Sequence, residues 1–324
     1  MTIDRRTLLS AGLTSGLIAT SAGAVHATTP QEVMGLPDTT EYIDLWPKGP
    51  AGRLNPALTE TSPASGEPAM RRTSGIVNPR MAVYRPKTPN GSAMLIIPGG
   101  GYRIVSIDNE GHYIARYLAA AGITAFVLFY RLPNEGWANQ ADVPLTDAQR
   151  AMRLIRARAK TYNLDPQKVG AMGFSAGGHL CCSLATRYAA SVYTAVDEAD
   201  ALDARPVLFA PVYPVVSMRP GITHTGSRDN LIGATAEEAK LALYSTDEQV
   251  TTQTPPAFIV HAEDDKTVPV ENSLRLRAAL RKVGVTVETH LYPEGGHGFG
   301  LRNPKAQWGE LFLNFARGRG LFNG

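Results

Sequence analysis

Seven short, almost continuous apolar runs alternate with stretches of helical period, and this predicts an α/β protein with a mainly parallel sheet covered on both faces. The runs lie at 81–84, 93–97, 125–129, 169–172, 207–210, 258–261 and 287–292, and the helical stretches at 110–121, 145–162, 175–188, 271–283 and 305–315. Several runs end in turns rich in glycine or acidic residues, as strand ends that carry chemistry do. No internal repeat interrupts the alternation.

The chain has 324 residues, 44% apolar and 19% charged, which suits a soluble globular protein with room for a large core. Formal net charge is +3, of which the first 27 residues supply +1. The remaining +2 is too small to hold nucleic acid or an anionic membrane surface.

The first 27 residues read as an export signal. Asp4-Arg5-Arg6-Thr7-Leu8-Leu9 is a twin-arginine pattern, an apolar stretch follows from Ala11 to Ala19, and Val25-x-Ala27 offers a small-residue cleavage site. The apolar stretch is too short to span a bilayer, and no cysteine follows it for a lipid anchor. A periplasmic or secreted address without a stable membrane anchor is therefore expected. The two cysteines, Cys181 and Cys182, are adjacent on a helix, where a bridge would strain the backbone, so both are expected to be reduced and packed as small apolar residues.

Residues 28–78 are rich in Pro, Gly, Ser and Thr without a sustained period and read as an irregular leading arm before a domain at 79–324. Its one apolar knot, Tyr42-Ile43-Asp44-Leu45-Trp46-Pro47, is expected to be pinned to the body by Trp46. After the run at 93–97 comes Pro98-Gly99-Gly100-Gly101-Tyr102, whose glycines let the backbone approach a ligand and turn amides toward it. The lack of a following Gly-Lys-Ser/Thr argues against a phosphate cradle. Asp147, Gln149 and Arg150 open a long helix and are expected to tie it to neighbouring loops. The segment 201–251 is broken by prolines and reads as an irregular insertion that could carry pocket walls or a partial lid.

The richest stretch is Val169 to His179. A strand leads into Gly173-x-Ser175-x-Gly177, and helical spacing resumes at Leu180, Leu184 and Tyr188. A serine standing proud on a tight strand-to-helix turn needs small neighbours, and the next amide, that of Ala176, lies at a helix N-terminus where it can bind an oxyanion. The glycine loop, placed one strand–helix unit before another strand and then this turn, fits the second half of such a hole through Gly100 and Gly101. Beyond the run at 258–261 stand Asp264 and Asp265, either of which could orient a histidine. Gly296-His297-Gly298 sets a histidine in a loop able to reach across. Ser175, an Asp and His297 thus follow one another in the order of a serine-nucleophile triad, each just past a strand end.

On these motifs the chain resembles the α/β-hydrolase esterases of the acetyl esterase and acetylxylan-esterase-like group. The resemblance runs from Tyr42 to Phe315 and rests on Leu45-Trp46-Pro47, Pro98-Gly-Gly-Gly-Tyr102, Glu110-Gly111, Asp147-Ala-Gln-Arg-Ala151, Gly173-Phe-Ser-Ala-Gly-Gly-His179, Thr254-Pro-Pro256, Asp265-x-x-Val268-Pro269 and His297-Gly-Phe299. It implies a mainly parallel α/β-hydrolase sheet and hydrolysis of short acyl esters, with carbohydrate esters as the expected class. It also implies Ser175 as nucleophile, His297 as base and Asp265 as the acid, with Gly100, Gly101 and Ala176 around the oxyanion and Tyr102 as a candidate pocket residue. No metal or organic cofactor is called for, and the expected partner is a small-molecule or carbohydrate ester. A serine peptidase or a lipase on the same fold, and an inactive exported binding protein, are the competing readings.

Export through the twin-arginine pattern has a direct test. Replacing Arg5 and Arg6 together by lysine should leave precursor in the cytoplasm, scored by fractionation. Unchanged export would point to another route.

Overall fold

The computed structural model describes residues 30–66 and 68–322; the export segment read at 1–27 lies outside them. The strands in chain order are β1 (Tyr42–Asp44), β2 (Ala64–Ser65), β3 (Met70–Arg71), β4 (Arg80–Tyr84), β5 (Ala93–Ile97), β6 (Thr124–Phe129), β7 (Val169–Phe174), β8 (Phe209–Val212), β9 (Ala257–Ala262) and β10 (Val287–Tyr292). Eight of them form one sheet in the order β1-β4-β6-β5-β7-β8-β9-β10, and β2 pairs with β3 in a separate ribbon. From β6 to β10 every neighbouring pair is parallel, while β1 and β4 are added antiparallel at one edge. The central strands β5, β6, β7, β8 and β9 are buried along their whole length, which is why they read as continuous apolar runs rather than alternating ones.

The helices are α1 (Pro30–Met34), α2 (Tyr113–Ala120), α3 (Val143–Ala157), α4 (Ser175–Arg187), α5 (Thr225–Ile232), α6 (Glu238–Tyr244), α7 (Glu271–Lys282) and α8 (Trp308–Gly318). None of those described is long and apolar enough to cross a membrane. Chain order reverses at the middle of the sheet: β5 is flanked by β6 on one side and β7 on the other. Outside the carboxyl ends of β5 and β7 the connections part to opposite faces and leave a crevice, the usual place for a ligand in an open α/β sheet. The glycine loop follows β5 and Ser175 follows β7, so both motifs empty into it.

Three elements differ from the sequence expectation. The helix expected over 110–121 begins as a π-helical turn, Asp108–His112, before α2. The strand expected at 207–210 lies two residues later, because Phe209 to Val212 pair with Ala171 to Phe174 of β7 and Pro211 is accepted opposite Gly173. The 201–251 insertion holds α5, which is polar with little apolar period, and the short α6.

The leading arm is joined to the sheet more closely than its composition suggests, since it supplies the edge strand β1, with Tyr42 opposite Ala82. Trp46 is buried and its indole N–H donates to Asp147 Oδ1 at 2.8 Å; Arg150 Nε donates to the Leu45 carbonyl at 2.9 Å. Asp147 is in turn gripped by Arg131, while Arg150 reaches Asp197 and Asp200 and Gln149 donates to the carbonyls of Arg187 and Ala190. These polar residues tie α3 to its surroundings. A second tie joins Asp38 and Arg71 of the arm to Asp108 of the π-turn and Arg116 of α2.

His179 links α4 to the insertion from inside the core, at 1% exposure. Its Nε2 donates to the Tyr244 carbonyl at 2.7 Å, so Nδ1 is bare and accepts the Tyr102 hydroxyl at 2.7 Å. Burial pushes this imidazole down to about 4. His112 is equally buried and likewise falls to about 4. A histidine held neutral in the fold titrates first in the unfolded chain, near 6.5, so its contribution is complete above that pH and is lost as pH falls toward 4. Each is worth up to about 3 kcal/mol over that interval. His179→Gln keeps a donor and an acceptor without a titrating group. Denaturant unfolding at pH 7, 5.5 and 4 should therefore fall less steeply for this variant than for the parent chain.

Candidate active site

Ser175 begins α4 immediately after β7, with φ of +53° in the left-handed region that non-glycine residues seldom occupy. The turn is enforced by its neighbours. A Cβ on Gly177 would stand 2.2 Å from the Ile97 carbonyl oxygen and 2.4 Å from that of Pro98, and one on Gly173 would stand 2.2 Å from the Gly177 carbonyl oxygen. Helix α4 is thus packed directly on the end of β5, and no other residue type leaves room for it. The strain at Ser175 is repaid by holding its hydroxyl at the crevice and its following amide at a helix N-terminus.

His297 Nε2 lies 2.8 Å from Ser175 Oγ and accepts its proton, while Nδ1 donates to Asp265 Oδ2 at 2.6 Å. The three residues, 122 and 32 positions apart in their two contacts, form one hydrogen-bonded line. The Asp265 carboxylate is fully occupied: Oδ1 accepts the amides of Thr267 and Val268 at 2.8 and 2.9 Å. Burial pushes this acid up, but the donors from His261, His297 and the Val268 amide outweigh it and hold the carboxyl well below the usual carboxylate range. His261, fully buried on β9, accepts the Ser273 hydroxyl on Nδ1, donates Nε2–H to the Val268 carbonyl and keeps that nitrogen 3.3 Å from Asp265 Oδ2. Asp264 points away from the line and its Oδ1 takes the amides of Gly295 and Gly296 at 2.9 and 2.7 Å, bracing the histidine loop against the acid loop.

The glycine loop wraps over the same spot. Gly99 N–H is spent on Glu110 Oε2, and the Pro98 carbonyl accepts the Tyr130 hydroxyl. Gly100 adopts φ of +129°, and a Cβ there would meet the Ile104 carbonyl at 2.2 Å, so glycine is required. Among the described residues no acceptor is bonded to the amides of Gly100 and Gly101. Ala176, second in α4, has no preceding turn to offer its amide a partner. These three amides are the donors left open beside Ser175.

Tyr102, expected as a pocket residue, is not one: its side chain is 1% exposed and its hydroxyl is donated to His179. Its backbone sits at φ of +57°, which turns the ring inward behind the loop. The wall is built instead by the insertion. Asn230 Nδ2 on α5 donates to the Gly101 carbonyl at 2.8 Å, and a Cβ at Gly101 would lie 3.8 Å from His224 Cε1. His224 accepts both the amide and the hydroxyl of Ser227 on Nδ1, which leaves Nε2 as the protonated nitrogen. Burial, and then the charge of His297, lower its pKa. The irregular sequence of 201–251 offered no period to locate these residues.

Glu110, Tyr213 and Asn109 also reach the site without having been assigned a role. Glu110 Oε1 accepts the Tyr213 hydroxyl at 3.0 Å, the Tyr213 ring stands edge-on to His297 at 5.1 Å, and Asn109 Nδ2 donates to the Gly298 carbonyl at 2.8 Å. The pairing of Glu110 with Gly111 was the one trace in the sequence: a Cβ on Gly111 would lie 2.8 Å from Val127 Cγ1, so the glycine seats this turn on β6. Cys181 and Cys182 are free and buried on α4. Among the described residues one trio has metal-ligand types in reach of one another, Asp38, Asp108 and His112, but Arg71 and Arg116 already neutralise its carboxylates.

Known proteins share this arrangement of sequence and fold. A family model described as BD-FAE matches residues 81–280. An acetylxylan esterase of Xylanibacter ruminicola is 37% identical over 226 residues, covering 68% of this chain and 44% of that protein. Endo-1,4-beta-xylanase B of Butyrivibrio fibrisolvens is 38% identical over 210 residues, covering 65% of this chain and 33% of that one. The chain therefore spans less than half the length of these curated relatives. A crystal structure of an acetyl ester-xyloside bifunctional hydrolase from Caldicellulosiruptor lactoaceticus superposes with a TM-score of 0.72 at 31% identity, covering 89% of this chain and all of that one (100%). The chain belongs to the BD-FAE family and is an α/β-hydrolase of the acetylxylan-esterase-like group.

Proposed function

We propose that the chain is a serine carboxylic-ester hydrolase that removes short acyl groups, acetyl foremost, from carbohydrate esters. The observation that carries the reading is the line of two short hydrogen bonds from Asp265 through His297 to Ser175, which ends beside the glycine loop, whose Gly100 and Gly101 amides are bonded to no acceptor among the described residues. In this reading Ser175 Oγ attacks the ester carbonyl as His297 Nε2 takes its proton. Asp265 keeps Nδ1–H pointed away from the serine and stabilises the imidazolium. The oxyanion is met by the amides of Ala176 and of Gly100 or Gly101, each such donor being worth about 3 to 4 kcal/mol of barrier. Collapse expels the alcohol with the proton returned by His297. Water then repeats the sequence on the acyl-enzyme.

The carbohydrate alcohol is supported by the wall beside the glycine loop. His224 and Asn230 are half-buried polar side chains there, the buried Ser227 fixes the His224 ring, and α5 exposes no apolar stripe such as a lipid chain would need. The relatives, an acetylxylan esterase and an acetyl ester-xyloside bifunctional hydrolase, point the same way.

Two measurements test the reading. Purified protein should be labelled at Ser175 by a fluorophosphonate and should cleave acetyl esters of nitrophenol and acetylated xylan faster than butyryl and much faster than octanoyl esters. A pocket discriminates one methylene by about 1 to 3 kcal/mol, so kcat/KM should decline with chain length. A steady rise toward octanoyl, or cleavage of aminoacyl amides alone, would replace this substrate class with a lipase or peptidase.

The acid is tested by the two adjacent aspartates. Asp265→Asn should lower turnover about 10⁴-fold, because the amide stabilises the wrong imidazole tautomer. Asp264→Asn retains an oxygen for the Gly295 and Gly296 amides and should cost less than about tenfold. Circular dichroism should find both variants folded. Loss in the Asp264 variant alone would reverse the assignment.

A further inference from the structure

Glu110 is a carboxylate at 5% exposure that the acyl-transfer steps do not use. It lies on the π-helical turn Asp108–His112, an irregularity that costs helix geometry and is found mostly where function requires it. Its two oxygens serve two different loops. Oε2 accepts Gly99 N–H at 2.9 Å and Oε1 accepts the Tyr213 hydroxyl at 3.0 Å. Both contacts are donations to the carboxyl, so each oxygen serves as an acceptor, while burial pushes the pKa of this acid up. A Cβ on Gly99 would stand 2.9 Å from Oε2, 2.8 Å from Ser175 Cβ and 2.5 Å from the Phe174 carbonyl, so this residue is pressed between Glu110 and the serine.

The other oxygen leads to the histidine. The Tyr213 hydroxyl, while donating to Glu110, accepts Gly300 N–H at 3.1 Å, and its ring is edge-on to both His297 and Phe299, at 5.1 and 4.8 Å. Tyr213 is held at φ of +37°, a conformation a tyrosine adopts only when its surroundings impose it. The next residue back on the π-turn, Asn109, donates to the Gly298 carbonyl, so the histidine loop is fastened to this turn at two points. Among the described residues no other side chain bonds to the Gly99 amide.

Resting on the ester-hydrolase reading above, we propose that Glu110 is the positioning residue of the site. One buried carboxylate fixes the glycine loop through Gly99 and the histidine loop through Tyr213, and so sets the oxyanion donors and His297 in register with Ser175 Oγ. It touches neither substrate nor a reacting atom. Its effect is on the geometry of the transition state, where both loops act at once, rather than on ground-state binding.

Glu110→Gln can satisfy only one of the two donors. On an acetyl ester, with active sites counted by fluorophosphonate, it should lower kcat about 10²-fold, the scale of a misplacement of about 1 Å, and leave KM unchanged. Tyr213→Phe, which keeps the ring and removes the hydroxyl, should lower kcat about tenfold, and the double variant should be no slower than Glu110→Gln alone, since the hydroxyl acts through the same carboxylate. A purely structural role would lower Tm but leave kcat per labelled site intact, and that result overturns the proposal. So does a double variant whose losses multiply. If Glu110→Gln does not fold, Tyr213→Phe decides: unchanged kcat overturns the proposal, and a loss in kcat at constant KM supports it. A parent chain that cleaves no ester overturns the function this rests on; an active parent beside an unaffected Glu110→Gln overturns the inference alone.

Discussion

The close approach of α4 to the end of β5 is the contact on which the rest of the structure depends. Gly177 sits under the carbonyls of Ile97 and Pro98, and its missing Cβ is what allows the helix to start there. That contact forces Ser175 into a left-handed turn, places Ala176 at the start of a helix and brings the glycine loop over the serine. A bulkier residue at 173 or 177 would separate helix from strand and displace Ser175, the Ala176 amide and the glycine loop together.

Around that turn the molecule buries three carboxyl groups that hydrogen-bond donors match. Asp147 is held by Arg131 and the Trp46 indole; Asp265 by two histidines and two backbone amides; Glu110 by an amide and a tyrosine hydroxyl. An unpaired charge in such places would cost several kcal/mol, so these pairings decide the local geometry rather than adding bulk stability. The loops after β5, β9 and β10 are consequently braced by polar contacts, although each is glycine-rich or irregular in sequence. Asp264 shows the same economy, because it joins the acid and histidine loops while its neighbour faces the imidazole.

The segments outside the regular βα alternation finish the site and the sheet. The arm closes the sheet edge through β1 and is locked by Trp46 and by Asp38 with Arg71. The insertion lays α5 against Gly101 and brings His224 beside the glycine loop. Both segments are broken by proline, and their value lies in a few specific contacts.

Sequence alone determined the parallel α/β sheet, because strands buried on both faces must be continuously apolar and the helices between them must carry a period. It also determined the turn at Ser175, since only the glycines at 173 and 177 permit that packing, and the chain order of serine, acid and histidine. Between the two adjacent carboxylates the resemblance at Asp265-x-x-Val268-Pro269 points to Asp265, and the crossing of the loops after β9 and β10 sets that residue against the imidazole while Asp264 takes the Gly295 and Gly296 amides. The edge strand β1, the inward turn of Tyr102, the placement of α5 and the double hold of Glu110 were decided only in three dimensions. Each depends on a contact between residues far apart in the chain, 103 positions for Glu110 and Tyr213, where neither local propensity nor periodicity reaches.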